Sequence, residues 1–336
     1  MIHSEQILFL ANHLLGRLYP SKPKHAPHSI LIVKLDEIGD AICALPAINE
    51  LISKNPGAAI DILCKPYCND VFKGIKGIHK ILNTESQWTK KYDWVVELRG
   101  NWSTFFKSLR YWPAFRFNRG TVRLQNKGKQ KHEIDTNFDI ISSINAKDKG
   151  VRNWPKSIKE ESAIANFKLE NTLGQYVVVH ASARKKLRKW GAENFKNVSS
   201  YLWKKHAIKS VYIGVQSETE QIQEITIGRE EYTVNAAGVF PLSQLAELLK
   251  QSAFFIGNES GPLQLADYLN IPSLSFFGPG VPTVFYPRNV NSTVLHHILD
   301  CNPCDQINCV KETPCIDLIS LAEAQIAMEE IINKTS

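Results

Sequence analysis

The stretch Ile30-Leu31-Ile32-Val33-Lys34-Leu35-Asp36-Glu37-Ile38-Gly39-Asp40 decides how this chain is to be read. Its first half is a short, β-branched apolar run, the mark of a strand buried on both faces of a parallel sheet. Its second half is a polar exit turn containing one Gly. Beyond the turn Ala41, Leu45, Ile48 and Ile52 recur at helical spacing, with Pro46 expected near the start of that helix, where a missing N–H costs least. Comparable runs return at Ala59-Ile60-Asp61-Ile62-Leu63-Cys64 and Trp94-Val95-Val96-Glu97-Leu98, separated by segments long enough for crossovers. This is a βαβ series.

A polar interval over residues 147–171, without a convincing strand, precedes a second series that begins at Tyr176-Val177-Val178-Val179-His180. Its further strands are expected at Ser210-Val211-Tyr212-Ile213-Gly214, Ala253-Phe254-Phe255-Ile256-Gly257 and Ser273-Leu274-Ser275-Phe276-Phe277, with a helix carrying Leu242, Leu245 and Leu249 among them. The 336 residues suit two cores of ordinary size. The organisation expected is a helical extension over residues 1–27, a doubly wound domain over 28–170 and a second over 171–336, the latter with a Cys-rich segment at 301–315 and a C-terminal helix. Ligands of such domains bind beyond the carboxyl ends of the strands.

With 43% hydrophobic and 22% charged residues the composition is globular. No run approaches the roughly 20 apolar residues of a membrane-spanning helix, and no basic segment followed by a cleavage site opens the chain, so a cytoplasmic protein is expected. In the first segment Leu8, Ala11, Leu15 and Leu18 share a helical face, which docks on the body as such stripes usually do, or lies on a bilayer surface. The formal charge of +7 favours anionic ligands without marking a nucleic-acid binder. Two basic clusters stand out: Lys127, Lys129, Lys131 and His132 in a polar stretch, and Arg184, Lys185, Lys186, Arg188 and Lys189 after a strand. Charge runs are commonly solvated faces, and the second cluster gains weight from its position.

Gly257-Asn258-Glu259-Ser260-Gly261-Pro262 follows a strand and opens a helical pattern from Leu263 to Leu269. The unpaired N–H groups of such a helix start suit a phosphate, and a carboxylate there can cap the helix or accept from ribose hydroxyls. Phe276-Phe277-Gly278-Pro279-Gly280 repeats the junction one strand away.

On these residues the chain resembles glycosyltransferase family 9, the bacterial heptosyltransferases. The resemblance rests on residues 30–46, on His180 to Trp190, and above all on residues 235–287 with their paired Gly257-Asn258-Glu259-Ser260-Gly261-Pro262 and Phe277-Gly278-Pro279 motifs. It implies an α/β, GT-B architecture of two doubly wound, Rossmann-like domains facing a central cleft, the first for acceptor and the second for donor. It also implies inverting, metal-independent transfer from a nucleotide sugar, typically ADP-heptose, to a lipopolysaccharide-type or other surface glycan. No cofactor is required on this reading, no nucleic acid takes part, and a peripheral contact with the cytoplasmic face of the inner membrane is compatible with it.

Carried over, the resemblance makes Asp40 the catalytic base; Ser182, Arg188 and Lys189 contacts to the donor's phosphates; and Glu259, Ser260, Gly261, Pro262 and Gly278 parts of the diphosphate and ribose loops. Asp40 suits a base beside a Gly at a helix start, its competing reading being a helix N-cap. Arg188 or Lys189 would offset charge on a departing diphosphate, or sit on a solvated loop. Glu218 or Glu220, after the strand ending at Gly214, is a candidate for the ribose hydroxyls, and Phe240 for the adenine or for the core. Acceptor contacts are expected around Arg99, Gly100, Asn101 and the basic stretch near Lys127. The family usually carries Asp at Glu259 and His at Gln264, so here one carboxylate is longer and one imidazole is missing.

Cys301, Cys304, Cys309 and Cys315 are spaced compactly enough for one tetrahedral metal, or are reduced thiols. A nucleotide-sugar epimerase or oxidoreductase would also use doubly wound domains, but the first strand lacks GxGxxG after it. A non-catalytic, sugar-nucleotide-binding assembly subunit is the third possibility.

Overall fold

A computed structural model describes residues 4–125, 130–150, 152, 154–155, 158–280, 282–302, 304 and 306–335. The chain divides into two compact units, Met1–Pro155 and Lys156–Ser336. The division falls inside the expected polar interval but fifteen residues before the boundary set at residue 170. Helix Ile158–Glu170 therefore belongs to the second unit, where its apolar side packs on Leu242–Lys250.

The first unit holds a five-stranded parallel sheet of β1 (Ser29–Lys34), β2 (Ala59–Cys64), β3 (Ile78–Leu82), β4 (Trp94–Arg99) and β5 (Phe115–Asn118), in the order β3-β2-β1-β4-β5. Its helices are α1 (Ser4–Gly16), α2 (Ile38–Lys54), α3 (Asn69–Phe72), α4 (Trp102–Tyr111), α5 (Arg119–Gln125) and α6 (Glu133–Ile140). Ile30, Leu31, Ile32 and Val33 of β1 are wholly buried, as a central strand covered on both faces requires.

α2 starts at Ile38, so Pro46 lies well inside it and not near its start. Pro in a helix interior costs about 3 kcal/mol, and the helix persists because residues 41–48 are all buried against the sheet and its neighbours. Its N-cap is Glu37 and Asp40 sits in the first turn, which removes the N-cap reading of Asp40.

α1 is no detached extension. Leu8, Asn12 and Leu15 are buried where it packs on β5 and α5. The approach is close: a Cβ on Gly120 would meet the Phe9 carbonyl oxygen at 2.5 Å. Arg116 of β5 donates to Asn12 Oδ1 at 2.5 Å and to the Glu97 carboxylate, so a buried polar anchor fixes the helix in register.

The second unit holds a six-stranded parallel sheet of β6 (Tyr176–His180), β7 (Lys209–Gly214), β8 (Thr233–Ala237), β9 (Phe255–Asn258), β10 (Ser273–Phe277) and β11 (Thr293–His296), in the order β11-β10-β9-β6-β7-β8. It carries α7 (Ile158–Glu170), α8 (Ala192–His206), α9 (Thr219–Thr226), α10 (Leu242–Lys250), α11 (Gly261–Tyr268), α12 (Pro282–Phe285) and α13 (Leu321–Thr335). Trp190 stacks on Phe276 with ring centroids 3.9 Å apart, and Phe195 meets both edge-on. α13 closes this core with Ala324, Met328 and Ile331. Strands β3, β5, β8 and β11 were not expected from the sequence; β3, for example, carries exposed His79 and Lys80 in place of an apolar run. No described helix is long and apolar enough to cross a membrane.

Candidate functional site

In the first unit, the carboxyl end of β1 gathers charge. Lys34 is fully buried, and its Nζ lies 3.0 Å from Asp36 Oδ2 and 3.3 Å from Glu133 Oε1. Arg119 grips Glu133 with two bonds of 2.7 Å. Burial works against the Lys34 charge, yet Asp36 and Glu133 hold its pKa above the usual range. Burial likewise opposes ionisation of Glu133, but Lys34 and Arg119 hold that carboxyl down at about 2.

Asp40 faces this group from the first turn of α2. Burial, then the Asp36 carboxylate, pushes Asp40 up to about 6, against the pull of Lys34. A carboxylate in that range takes a proton from a hydroxyl more readily than an ordinary aspartate. Oxygens of Asp36, Asp40 and Glu133 lie within 4.8 Å of one another, the spacing of a cation site. Lys34 and Arg119 already place two positive charges there, so the constellation is a buried ion network with one carboxyl left near neutrality. Lys34, Glu133 and Arg119 were missed by the sequence reading; a lysine closing a fully apolar strand was the available signal.

The expected acceptor residues are partly occupied. Arg99 pairs with Glu5 of α1 at 2.6 Å. Asn101 caps α4, accepting from the Thr104 N–H at 3.0 Å, and donates to Glu85 at 2.6 Å. Lys127 and Lys129 lie outside the described residues.

In the second unit the expected donor residues do converge. Asn258, wholly buried at the end of β9, organises them: its Oδ1 accepts from the Trp190 N–H at 3.0 Å and its Nδ2 donates to the Ala181 carbonyl at 2.9 Å. One amide thus ties the β6 exit, the basic loop and the Glu259 loop together. Arg188 Nη1 lies 3.0 Å from Glu259 Oε1, and its Nε donates to Gln306 at 2.7 Å. Burial raises the Glu259 pKa, while Arg188 lowers it. Glu259 Oε2 and Ser260 Oγ are buried with no hydrogen-bond partner among the described residues. Ser260 is the N-cap of α11 without making a cap bond; Pro262 brings no N–H to the first turn, so the Gly261 and Leu263 N–H groups and the Ser260 hydroxyl are the donors open to an anion.

Two glycines make room for this arrangement. A Cβ on Gly278 would meet the Leu187 carbonyl oxygen at 2.4 Å, and one on Gly280 would meet Glu259 Oε2 at 2.3 Å. Ser182 and Lys189 both donate to Gln221 Oε1, at 3.3 and 3.2 Å, which makes Gln221 of α9 a further member of the site. Glu218 accepts from the Val215 N–H at 2.9 Å and faces His180 Nε2 at 3.8 Å. Burial opposes its charge, but bonds from His180 and Val215 hold its carboxyl at about 2. Glu220 is exposed in the first turn of α9. Phe240 packs edge-on against Phe167, centroids 4.8 Å apart. Gln264 donates to the Phe285 carbonyl at 2.7 Å, binding α11 to α12.

Cys301, Cys304, Cys309 and Cys315 line one small cavity with Leu187 and Pro279. The thiols are free of disulfides. Burial, with Cys304 and Cys301 nearby, raises the Cys315 pKa.

Two units built on parallel, doubly wound sheets of five and six strands make an α/β fold of the GT-B type. The chain belongs to glycosyltransferase family 9 (heptosyltransferase), whose model matches residues 114–314. It is 26% identical over 192 residues to lipooligosaccharide heptosyltransferase 2 of Campylobacter jejuni, covering 55% of this chain and 59% of that protein. A second C. jejuni protein of the same name matches at 29% identity over 39% of its length, so the chain spans about six tenths or less of the curated relatives it matches. Among solved structures it is similar to a family 9 glycosyltransferase from Veillonella parvula, with TM-score 0.77 and 18% identity over 91% of this chain and 97% of that one. Escherichia coli ADP-heptose LPS heptosyltransferase II gives 0.71 at 16% identity, over 91% and 99%. E. coli heptosyltransferase WaaC, solved with ADP, gives 0.62 at 18% identity, over 91% and 99%.

Proposed function

We propose that this protein is an inverting glycosyltransferase that moves a heptose from ADP-heptose to a lipooligosaccharide-type glycan at the cytoplasmic face of the inner membrane. The observation that carries the proposal is the donor cradle. At the start of α11 the Ser260 hydroxyl and one Glu259 oxygen lack partners among the described residues, beside Arg188 and an open helix N-terminus. Such a set suits a diphosphate, with an adjacent carboxylate for hydroxyls of the ribose or sugar. Capture of ADP by WaaC in the solved relative supports the same ligand class.

In the proposed reaction Asp40 takes the proton of an acceptor hydroxyl as its oxygen attacks the anomeric carbon of the donor. The carbon–oxygen bond to the diphosphate breaks, ADP leaves with the electron pair, and the anomeric configuration inverts. Arg188 and Lys189 offset the charge that grows on the leaving diphosphate, which a divalent cation would otherwise do. Gln221, which also accepts from Ser182, holds Lys189 in place. Glu218, ionised beside His180, is the candidate for the ribose hydroxyls.

A dodecameric relative, TibC, is described as iron-containing. The four thiols that line one cavity here fit a thiolate-bound ion by number and donor chemistry. Such an ion would stiffen the segment that carries Gln306, a partner of Arg188, and would take no part in the transfer.

The test is a donor screen with ADP-heptose, ADP-glucose, GDP- and UDP-sugars, scored by nucleotide release with a heptose-deficient glycan as acceptor. ADP release that depends on both ADP-heptose and acceptor is expected. Turnover of UDP- or GDP-sugars in preference would overturn the donor assignment.

A further inference from the structure

α1 has two apolar faces, and only one is used. Leu8 and Leu15 are buried on the body of the first unit, held there by the Asn12–Arg116 bond. The opposite side presents Ile7, Leu10 and Leu14, which are 48, 49 and 51% exposed, and Leu18 follows just beyond the helix at 69%. Spacings of three and four residues put Ile7, Leu10 and Leu14 in one stripe; Leu18, expected on the buried face with Leu8 and Leu15, is exposed because the helix ends at Gly16.

A second apolar surface lies beside it. The segments flanking α4 reach α1 and the residues after it: Arg99, at the end of β4, binds Glu5 and lies over the Phe9 ring, while Trp112, just after α4, stacks on Tyr19, three residues beyond α1, at 5.1 Å. α4 exposes Phe106 and Leu109, the former packed with Trp102 and Phe105 in one aromatic cluster. Single exposed leucines are ordinary; a contiguous set on two adjoining helices marks an interaction surface.

The charge around the surface selects its partner. Between residues 4 and 25 the sole acid is Glu5, already paired with Arg99, whereas Arg17, Lys22 and Lys24 are exposed bases. α4 adds the exposed Arg110 and contains no acid; its Lys107 is taken up by the Trp88 carbonyl at 2.8 Å. Apolar side chains rimmed by bases match the headgroup and acyl boundary of an anionic bilayer, where leucines enter the hydrocarbon and bases meet lipid phosphates.

We infer that the outer faces of α1 and α4 form a membrane-docking surface for anionic lipid. The inference needs neither the donor assignment nor the acceptor's identity, and vesicles free of glycolipid test it. The full chain is floated with phosphatidylcholine vesicles and with vesicles containing phosphatidylglycerol, at low and high salt. Binding to the anionic vesicles alone, weakened by salt, is expected. L10D/L14D should lower partitioning by at least about tenfold. K22E/K24E, in a coil segment outside the helices, should weaken binding and reduce its salt dependence. ADP affinity and circular dichroism should match wild type in both variants. Wild-type chain that ignores anionic vesicles, or L10D/L14D chain that binds them normally, would overturn the inference. A wild-type dimer that dissociates on L10D/L14D substitution would overturn it too, by assigning the face to a second copy of the chain.

Discussion

The Arg188 guanidinium and the Glu259 carboxylate meet at 3.0 Å between segments 71 residues apart, with the second carboxylate oxygen unpartnered among the described residues. Glu259 therefore orients Arg188 and still offers an acceptor to a ligand. Glu259→Ala should raise the donor's Michaelis constant by an amount equivalent to about 1–3 kcal/mol, the usual loss for an unpaired polar site. Glu259→Asp, with its carboxylate drawn back, should remain active. Steady-state kinetics on both variants with two nucleotide sugars checks this; an unchanged constant in the alanine variant would reduce Glu259 to a brace for the loop.

Asp40→Asn should keep donor affinity while turnover falls by about a hundredfold or more, the scale of a lost general base. Calorimetric ADP titration and initial rates separate the two quantities.

The pH profile follows from the raised Asp40 carboxyl. Below about 6 it holds its proton and cannot act as base, so kcat/KM should climb with pH and level off above that value. Asp36 raises this pKa, so Asp36→Asn should move the rising limb to lower pH. A stability effect of opposite sign accompanies it. A carboxyl whose folded pKa exceeds its unfolded one stabilises the fold below the unfolded pKa of 3.8, and that contribution is lost as pH rises through about 6. Asp40→Asn should therefore be the more stable protein at neutral pH, measurable by urea denaturation.

Lys34→Met should cost about 3–5 kcal/mol, because Glu133 and Asp36 would lose a buried counter-charge. Thermal and urea unfolding of the variant would show it. A loss under 1 kcal/mol would mean that Arg119 alone satisfies Glu133.

Chelators should leave transfer intact, since Arg188 and Lys189 neutralise the diphosphate in the proposed reaction. If the cysteine cavity takes up an ion, a chelator should lower the melting temperature, and Cys301→Ser with Cys304→Ser should do the same without chelator.

Much of this was legible in the chain, and where it was not the cause is physical. Central strands declared themselves because burial on both faces makes them uniformly apolar, as in β1 and β6. The edge strands did not: β3 and β11 are only partly covered, and β5 (Phe115–Asn118) hides Arg116 in its contacts with Asn12 and Glu97 and Asn118 in its bonds from Thr121. The donor loops were legible because Gly257-Asn258-Glu259-Ser260-Gly261-Pro262 is contiguous. The tuning of Asp40 was not, because Lys34, Arg119 and Glu133 meet only when β1, α5 and α6 are folded together. Pro46 was misplaced because its helix begins earlier than periodicity alone suggested.

Trp190 and Asn258 also carry a consequence for how the protein is made. The Trp190 indole donates to the Ile319 carbonyl at 2.8 Å, and its backbone N–H to Asn258. A ribosome has issued Arg188 and Lys189 long before either partner leaves the exit tunnel. During that interval the basic loop lacks both of the bonds that hold Trp190. A nascent chain arrested before Ile319 should therefore be unable to hold ADP, even with every residue that would touch the nucleotide already synthesised.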